Sequence, residues 1–423
     1  MNKSQKIFLK EITMNNLQNI SLEIPLNKLV AVVGPSGSGK SSLIYEVLYK
    51  SFLGGLKFDI SNIPKIHAMG QKTFVNERKS IEEISKKIKK GELLIVDEPC
   101  AGLEKSERIH ILESLTDFVK KGISVIAIEH SNEIILGADY VLEFGPGSGV
   151  YGGKLIFQGN QESFRKSNTK TAEYILKNKA EKVIYERNPS REAKLMQNKR
   201  VLISKINKNE LDNFNFEFPL GGLVCIHGKT GAGKLTLLRI VYCALFKGKN
   251  AWKERKYLNK GLKISGKENV RRSYFIDQTS IKAGSNSSVA TYSKLSSELR
   301  KITEDFDILT VDEAIKKFSR NSLLKRKLEF LREVGLGYLE LGQKTNTLSG
   351  GEAQRLKLSR VLSKKLGDRC IYLFNNPSRG LHPSDLPVLL KVFQKIIDKN
   401  NTILVAENRE EIIKNSDYAI ELK

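Results

Sequence analysis

Cysteine is scarce in this chain, and the four present (Cys100, Cys225, Cys243 and Cys370) form no C-x-x-C pair. Their scatter excludes a disulfide scaffold and argues against a zinc ribbon, so no zinc is expected, and it fits a reducing cytoplasm. No apolar run approaches the roughly 20 residues that a membrane-spanning helix needs. The opening residues, Met1-Asn2-Lys3-Ser4-Gln5-Lys6, lead into strand-like alternation and carry no signal-peptide core. Secreted, collagenous, coiled-coil and integral membrane classes are therefore not expected. Acidic residues are outnumbered: 47 Asp and Glu against 71 Lys and Arg leave a formal net charge of +24. A Lys-favouring genome accounts for part of such an excess, yet a balance this basic suits nucleic acid, an anionic membrane surface or nucleotide phosphates. Apolar residues are plentiful. At 40% of 423 residues they support two domains, each with its own core.

The chain repeats itself at an offset of 194 residues. Ile12 recurs as Ile206, Asn15 as Asn209, Leu17 as Leu211, Asn19 as Asn213, Pro25-Leu26 as Pro219-Leu220, Val30 as Val224 and Lys40 as Lys234. Each stretch reads as strand, turn, strand, Gly-rich loop and helix, so two homologous α/β halves are expected. Their boundaries are placed at 1–178 and 200–423, with a basic, Asn- and Lys-rich linker at 179–199 that holds Pro189 and no sustained apolar periodicity. The first half closes in the turn-rich Gly145-Pro146-Gly147-Ser148-Gly149 and Gly152-Gly153, then a short polar helix near 160–178. The halves are unequal. Lys40 precedes Asp97 by 57 residues, whereas Lys234 precedes the matching Asn375 by 141, so the second half holds 84 extra residues.

Gly34-Pro35-Ser36-Gly37-Ser38-Gly39-Lys40-Ser41 satisfies G-x-x-x-x-G-K-[ST] and follows the apolar run Leu29–Val33. Glycines let such a loop curl so that its N–H groups surround phosphates. Lys40 would reach the β- and γ-phosphates and the Ser41 hydroxyl would ligate Mg²⁺, with Ser42 opening the helix. The candidate ATP site is thus Gly34, Ser36, Gly37, Ser38, Gly39, Lys40, Ser41 and Ser42. The second loop, Gly228 to Lys234 with Gly231 and Gly233, has the same context, but Leu235 stands where the metal-binding hydroxyl is required. It is read as a degenerate nucleotide site made of Gly228, Gly231, Gly233, Lys234, Thr236 and Gln278; a relic that binds nothing is the competing reading.

Leu93-Leu94-Ile95-Val96-Asp97-Glu98-Pro99 reads as a buried strand ending in two carboxylates. Asp97 would hold Mg²⁺ and Glu98 would polarise the attacking water as general base. Val125-Ile126-Ala127-Ile128-Glu129-His130 is a second apolar strand ending in a histidine, a candidate γ-phosphate sensor. Gln71 is a candidate contact to Mg²⁺ and water.

The extra segment of the second half contains Val334-Gly335-Leu336-Gly337-Tyr338-Leu339-Glu340-Leu341-Gly342-Gln343 and then Thr347-Leu348-Ser349-Gly350-Gly351-Glu352-Ala353-Gln354-Arg355. Leu348–Glu352 resembles the signature of ATP-binding cassette (ABC) ATPases, and the longer string resembles the UvrA branch, the damage-sensing subunit of the bacterial excision nuclease. Ile276-Asp277-Gln278 with Ala290-Thr291-Tyr292, Gly380-Leu381-His382-Pro383 and Gly145–Gly149 support it. The resemblance spans nearly the whole chain. It implies an α/β fold of two tandem P-loop nucleotide-binding domains packed head to tail, with an added helical signature subdomain in the second. Two departures stand out: no C-x-x-C zinc module fits between Tyr292 and Val334, and no UvrB-binding domain fits between Lys40 and Gln71. A reduced form is expected, and a UvrB-like partner is disfavoured.

In ABC proteins ATP is held between the phosphate loop of one half and the signature of the other. By that resemblance the first site combines Lys40, Ser41, Gln71, Asp97, Glu98 and His130 with Ser349, Gly350, Gly351 and Glu352. Ser349 and Glu352 also have the spacing of a capping box that would start a helix aimed at the γ-phosphate. The other site would use Lys234, Leu235, Gln278, Asn375, Asn376 and Asn408, and the first half has no L-S-G-G-E to complete it. Two neutral amides replace the Asp-Glu pair. The losses all fall on one composite site, which points to one hydrolytic site and one without turnover.

Residues 247–272 hold ten Lys or Arg against Glu254 and Glu268. Lys249, Trp252, Lys253, Arg255 and Lys256 are candidate DNA contacts, since cations interleaved with aromatics grip phosphates and stack on bases; a solvated Lys-rich loop is the competing reading. The expectation is a cytoplasmic ATPase whose DNA binding is switched by ATP. A non-repair ABC protein serving drug resistance or target protection, the ATPase of a transporter, a nucleotide-dependent scaffold and a homodimer all stay open.

Overall fold

The computed structural model describes residues 6–55, 58–69, 83–147, 149–176, 199–246, 258–277, 281, 287–348, 350–363 and 367–422. In the first half β1 (Lys6–Met14) and β2 (Leu17–Pro25) pair antiparallel, and β3 (Leu29–Val33) leaves them for a second sheet. β4 (Asp59–Ser61) pairs with the other edge of β1. The second sheet is completed by β5 (Ile66–Met69), β6 (Leu93–Asp97), β7 (Ser124–Ile128), β8 (Tyr140–Gly145) and β9 (Lys154–Asn160), in the order β5-β6-β7-β3-β8-β9. Its strands run parallel except β9, which closes the edge antiparallel. All five residues of β3 are buried, as expected of a parallel strand covered on both faces. Val30 and Val32 pack with Ile7, Leu9, Leu43 and Val47, while Leu29, Ala31 and Val33 pack with Leu115 and Phe118 of the helix Lys105–Lys120.

The second half repeats this with β10 (Arg200–Lys208), β11 (Leu211–Pro219), β12 (Leu223–His227), β13 (Lys263–Ser265), β14 (Arg272–Ile276), β15 (Cys370–Asn375), β16 (Thr402–Ala406) and β17 (Tyr418–Glu421). The order β14-β15-β16-β12-β17 matches the first sheet, with no edge strand equivalent to β9 among the described residues. The repeat extends to fine detail. Lys6 pairs with Pro25 and Arg200 with Pro219, the register shifts fall at matching places, and Glu11, Asn15 and Asn19 share positive φ with Lys205, Asn209 and Asn213. The added residues of the second half form the helices Val289–Tyr292, Ser296–Leu299, Val311–Lys317 and Ser322–Glu333, followed by Gly350–Leu362. Thr310 and Glu313 form a reciprocal capping box at the third of these, and the Asn321 side chain caps the fourth.

The chain divides into two compact units, Met1–Lys182 with Gly380–Asp385, and Val183–Arg379 with Leu386–Lys423. The six residues Gly380–Asp385 therefore pack with the half to which they do not belong in sequence. Among the described residues no helix is long and apolar enough to cross a membrane.

Candidate nucleotide sites

In the first unit β3, β6 and β7 end on one edge of the parallel sheet, the edge where open α/β sheets receive ligands. β3 delivers the phosphate loop there. Gly34 has φ 135°, and a Cβ on it would lie 2.1 Å from the Phe144 carbonyl oxygen, so only glycine starts this loop. Lys40 is 7% exposed, and its Nζ donates to the carbonyls of Gly34 at 2.7 Å and Pro35 at 2.8 Å. Ser38 Oγ is fully buried with no hydrogen-bond partner, while Ser41 at the head of the following helix is exposed. That helix is π-wound over Ser42–Tyr49 and continues as Lys50–Phe52. An unpartnered buried hydroxyl, an ammonium drawn over the loop and an exposed serine at the helix start fit a phosphate chain carrying Mg²⁺.

The loop is braced from behind. Asn16 Nδ2 donates to Gly37 O at 2.8 Å and Gly149 O at 3.3 Å, and Gly149 N–H donates to Gly37 O at 2.9 Å. The glycine-rich turn after β8 is thus part of the phosphate-loop scaffold.

Asp97 ends β6, half-buried. Glu98 follows in the left-handed region, φ 49°, with its N–H donating to Ile128 O at 2.8 Å. Glu129, next to β7, is 3% exposed; burial, then the nearby Glu98 carboxylate, pushes its carboxyl up to about 8. His130 meets the ring of His382 edge-on at 5.8 Å between centroids. Ser36 Oγ donates to Gly380 O at 2.8 Å, and a Cβ on Gly380 would lie 2.8 Å from Glu98 Oε1.

The second unit copies the backbone and changes the chemistry. Gly228 has φ 138°, and a Cβ there would lie 2.0 Å from Leu422 O. Lys234 Nζ donates to the carbonyls of Gly228 and Lys229. Leu235, at the position of Ser41, is 37% exposed and offers no ligand to a cation. Asn376 keeps the backbone of Glu98, with φ 46° and its N–H on Ala406 O at 2.8 Å. Asn408 Oδ1 accepts from Gly228 N–H at 3.0 Å, so the residue in the histidine position binds the loop's own first glycine. Glu407, the counterpart of Glu129, accepts from Ser378 N–H at 3.1 Å and Ser378 Oγ–H at 2.6 Å. By the same alignment Cys100 stands in the first unit where Ser378 stands here. Glu129 therefore lacks that hydroxyl donor.

The signature residues open the helix Gly350–Leu362. Glu352 Oε1 accepts from Tyr338 O–H. Gln354 Nε2 donates to Ile276 O at 3.1 Å and Asn375 O at 3.2 Å, and Lys357 Nζ pairs with Asp277 Oδ1 at 2.6 Å. The helix is thereby fastened to the ends of β14 and β15.

A family model for ABC transporter matches residues 211–377. The chain is 32% identical to UvrABC system protein A of Aquifex aeolicus (strain VF5), over 78% of this chain and 43% of that protein. It is 31% identical to UvrABC system protein A of Helicobacter pylori (strain ATCC 700392 / 26695), over 78% and 42%. The crystal structure of UvrA2 from Deinococcus radiodurans superposes with a TM-score of 0.69 at 26% identity, covering 78% of this chain and 48% of that one. The chain is similar to UvrA proteins over most of its own length, and its second half carries the ABC domain.

It spans less than half the length of the curated relatives it matches. A structure of RNase-L Inhibitor, at 17% identity and a TM-score of 0.54, shares the fold alone. Of the residues anticipated for the first site, the structure brings together Gly34, Ser36, Gly37, Ser38, Gly39, Lys40, Ser41, Ser42, Asp97, Glu98 and His130 on one sheet edge. Gly350, Gly351 and Glu352 sit in the second unit, as do Gly231, Gly233 and Thr236, whose hydroxyl accepts from Asn209 Nδ2 at 3.3 Å. Gln71, Gln278, Ser349, the linker 179–198 and the basic candidates Lys249, Trp252, Lys253, Arg255 and Lys256 lie outside the described residues. Sequence reasoning missed Asn16, Glu129, Cys100 and the placement of Gly380 and His382. Only the strings Gly145–Gly149 and Gly380–Pro383 hinted at them.

Proposed function

We propose that the chain is an ATP-driven switch with one hydrolytic site and one site that holds nucleotide without turnover, acting on DNA in or near excision repair. The observation that carries this reading is the Asn408 hydrogen bond to Gly228 N–H, which uses the sensor position of the second unit to close its own loop. In the first unit Lys40 binds the β- and γ-phosphates, and Ser41, Asp97 and Gln71 are the residues that would hold Mg²⁺. Bound Mg²⁺ would neutralise charge on the phosphate oxygens. Glu98 takes a proton from the attacking water and His130 contacts the γ-phosphate. Leu235, Asn375, Asn376 and Asn408 remove the corresponding hydroxyl, carboxylate, base and sensor from the second unit.

The finer reading is that Ser349, Gly350, Gly351 and Glu352 complete the first site head to tail; its support is that every loss falls on the opposite composite site. The domains are taken as 1–178 and 200–423 about a basic linker. The net charge of +24 and the segment 247–272 support DNA as partner. The scattered cysteines support a cytoplasmic setting. A UvrB-like partner is disfavoured. A non-repair ABC switch is the second reading, favoured by the lack of any C-x-x-C pair. Rapid-quench measurement of the first turnover tests the asymmetry: one ADP per chain is expected, and two formed at equal rates refute it. A salt-titrated gel shift with intact, lesion-bearing and single-stranded DNA separates the two readings, since retardation that steepens at low salt is expected only of the first.

A further inference from the structure

The turn Gly380–Asp385 packs as part of the first unit, and a chain of buried polar groups fixes it there. His382 is 0% exposed and its Nε2 lies 2.8 Å from Thr171 Oγ1. Thr171, also 0% exposed, donates to Glu143 Oε1 through both its N–H, at 3.2 Å, and its hydroxyl, at 2.7 Å. A hydroxyl has a single proton. With that proton on the Glu143 carboxylate, Thr171 Oγ1 accepts from His382, so Nε2 carries the imidazole proton. Such a chain of buried donors and acceptors, with Glu143 Oε1 taking both Thr171 hydrogen bonds, holds its members in one geometry.

At its other end the same turn meets the hydrolytic residues. The His382 ring abuts His130 edge-on, Gly380 O receives the Ser36 hydroxyl, and Gly380 approaches Glu98 so closely that a Cβ would displace the carboxylate. The turn is therefore a wall of the Glu98 pocket. Beside the Ser36 contact, the Thr171 hydroxyl of the helix Lys170–Leu176 holds the turn through His382.

We propose that Thr171 and His382 are positioning residues for ATP hydrolysis, holding the Gly380 turn against Glu98 so that the carboxylate stays aimed at the attacking water. The proposal rests on Glu98 as general base. It sets a role for the segment that neither half of the repeat supplies alone.

The test is steady-state hydrolysis of Mg-ATP by the full chain, with kcat and KM measured separately. Thr171→Val keeps the shape and removes the hydroxyl; it should lower kcat about tenfold with KM within twofold of wild type, and Thr171→Ser should restore kcat to within twofold. His382→Leu should lower kcat similarly, and the double variant should be no worse than either single one, because both cut the same chain. His382→Gln, which keeps an N–H donor, should be milder than His382→Leu and provides the comparison if the valine variant does not fold. Glu98→Gln is run alongside. If Glu98→Gln is inactive but Thr171→Val retains kcat within twofold, the positioning role is wrong and the general base stands. Equal loss in Thr171→Val and Thr171→Ser also overturns it, since packing and not the hydroxyl would then matter. Turnover by Glu98→Gln within tenfold of wild type overturns the base assignment, and this proposal with it.

Discussion

Glu98 and Asn376 occupy the same backbone position in the two units, and they disagree about what that backbone prefers. Both are left-handed, at φ 49° and 46°. For an ordinary L-residue this region costs roughly 1–2 kcal/mol, and asparagine tolerates it better than glutamate. Glutamate at 98 thus carries strain that its counterpart has shed, as functional residues often do. Exchanging Glu98→Asn should therefore stabilise the first unit by roughly 0.5–1 kcal/mol through the backbone. A second contribution comes from Glu129, whose carboxyl is held up at about 8 by burial first and by the Glu98 carboxylate second. Removing Glu98's charge should lower that value, though burial keeps it above the ordinary 4.5. Glu98→Gln removes the same charge but keeps the strain, so the difference between the two variants isolates the backbone contribution. In a unit of this size about 1 kcal/mol moves the melting temperature by roughly 2–4 °C. Calorimetry should place Glu98→Asn above Glu98→Gln, with ATP turnover lost in both. The reverse exchange, Asn376→Glu, should lower the melting temperature without creating a second hydrolytic site. An asparagine variant that melts at or below the glutamine variant would refute the strain argument.

Three further outcomes follow from the same geometry. Glu129 holds its proton more tightly folded than unfolded, so stability should fall as pH rises from about 5 and level off above about 8. Cys100→Ser would return to Glu129 the hydroxyl donor that Ser378 gives Glu407; thermal melts across that range should show a flatter decline, and an unchanged slope would place the missing donor elsewhere. Lys40→Ala should abolish hydrolysis, whereas Lys234→Ala should leave the first turnover largely intact, as a rapid-quench assay would show; comparable losses in both would mean that the second loop is catalytic.

Much of the site was legible because its information is local. The spacing of Gly34, Gly39 and Lys40 between an apolar strand and a helix specifies a curled loop, and beside that loop the apolar strand ending in Asp97-Glu98 reads as more than a solvated strand end. The 194-residue offset predicted duplicated halves, and the pairing of β1 with β2 recurs in β10 with β11 down to its register shifts. The contrast between Ser41 and Leu235, or Glu98 and Asn376, needed only alignment of the repeat. The remaining features depend on which distant segments share a pocket. Nothing in the spacing of Thr171 and His382 says that 211 residues of separation close to a 2.8 Å hydrogen bond, or that the turn at Gly380 serves the first unit. Glu129 is an ordinary acid in sequence; its carboxyl is raised because the fold buries it and, second, sets it near the Glu98 carboxylate. Asn408 read in sequence only as a replaced histidine; that its side-chain oxygen accepts from Gly228 N–H is a tertiary fact. Backbone conformation and ligand type are set by neighbours in the chain, whereas desolvation and long-range hydrogen bonds are set by packing, which places residues by burying apolar surface and not by their order.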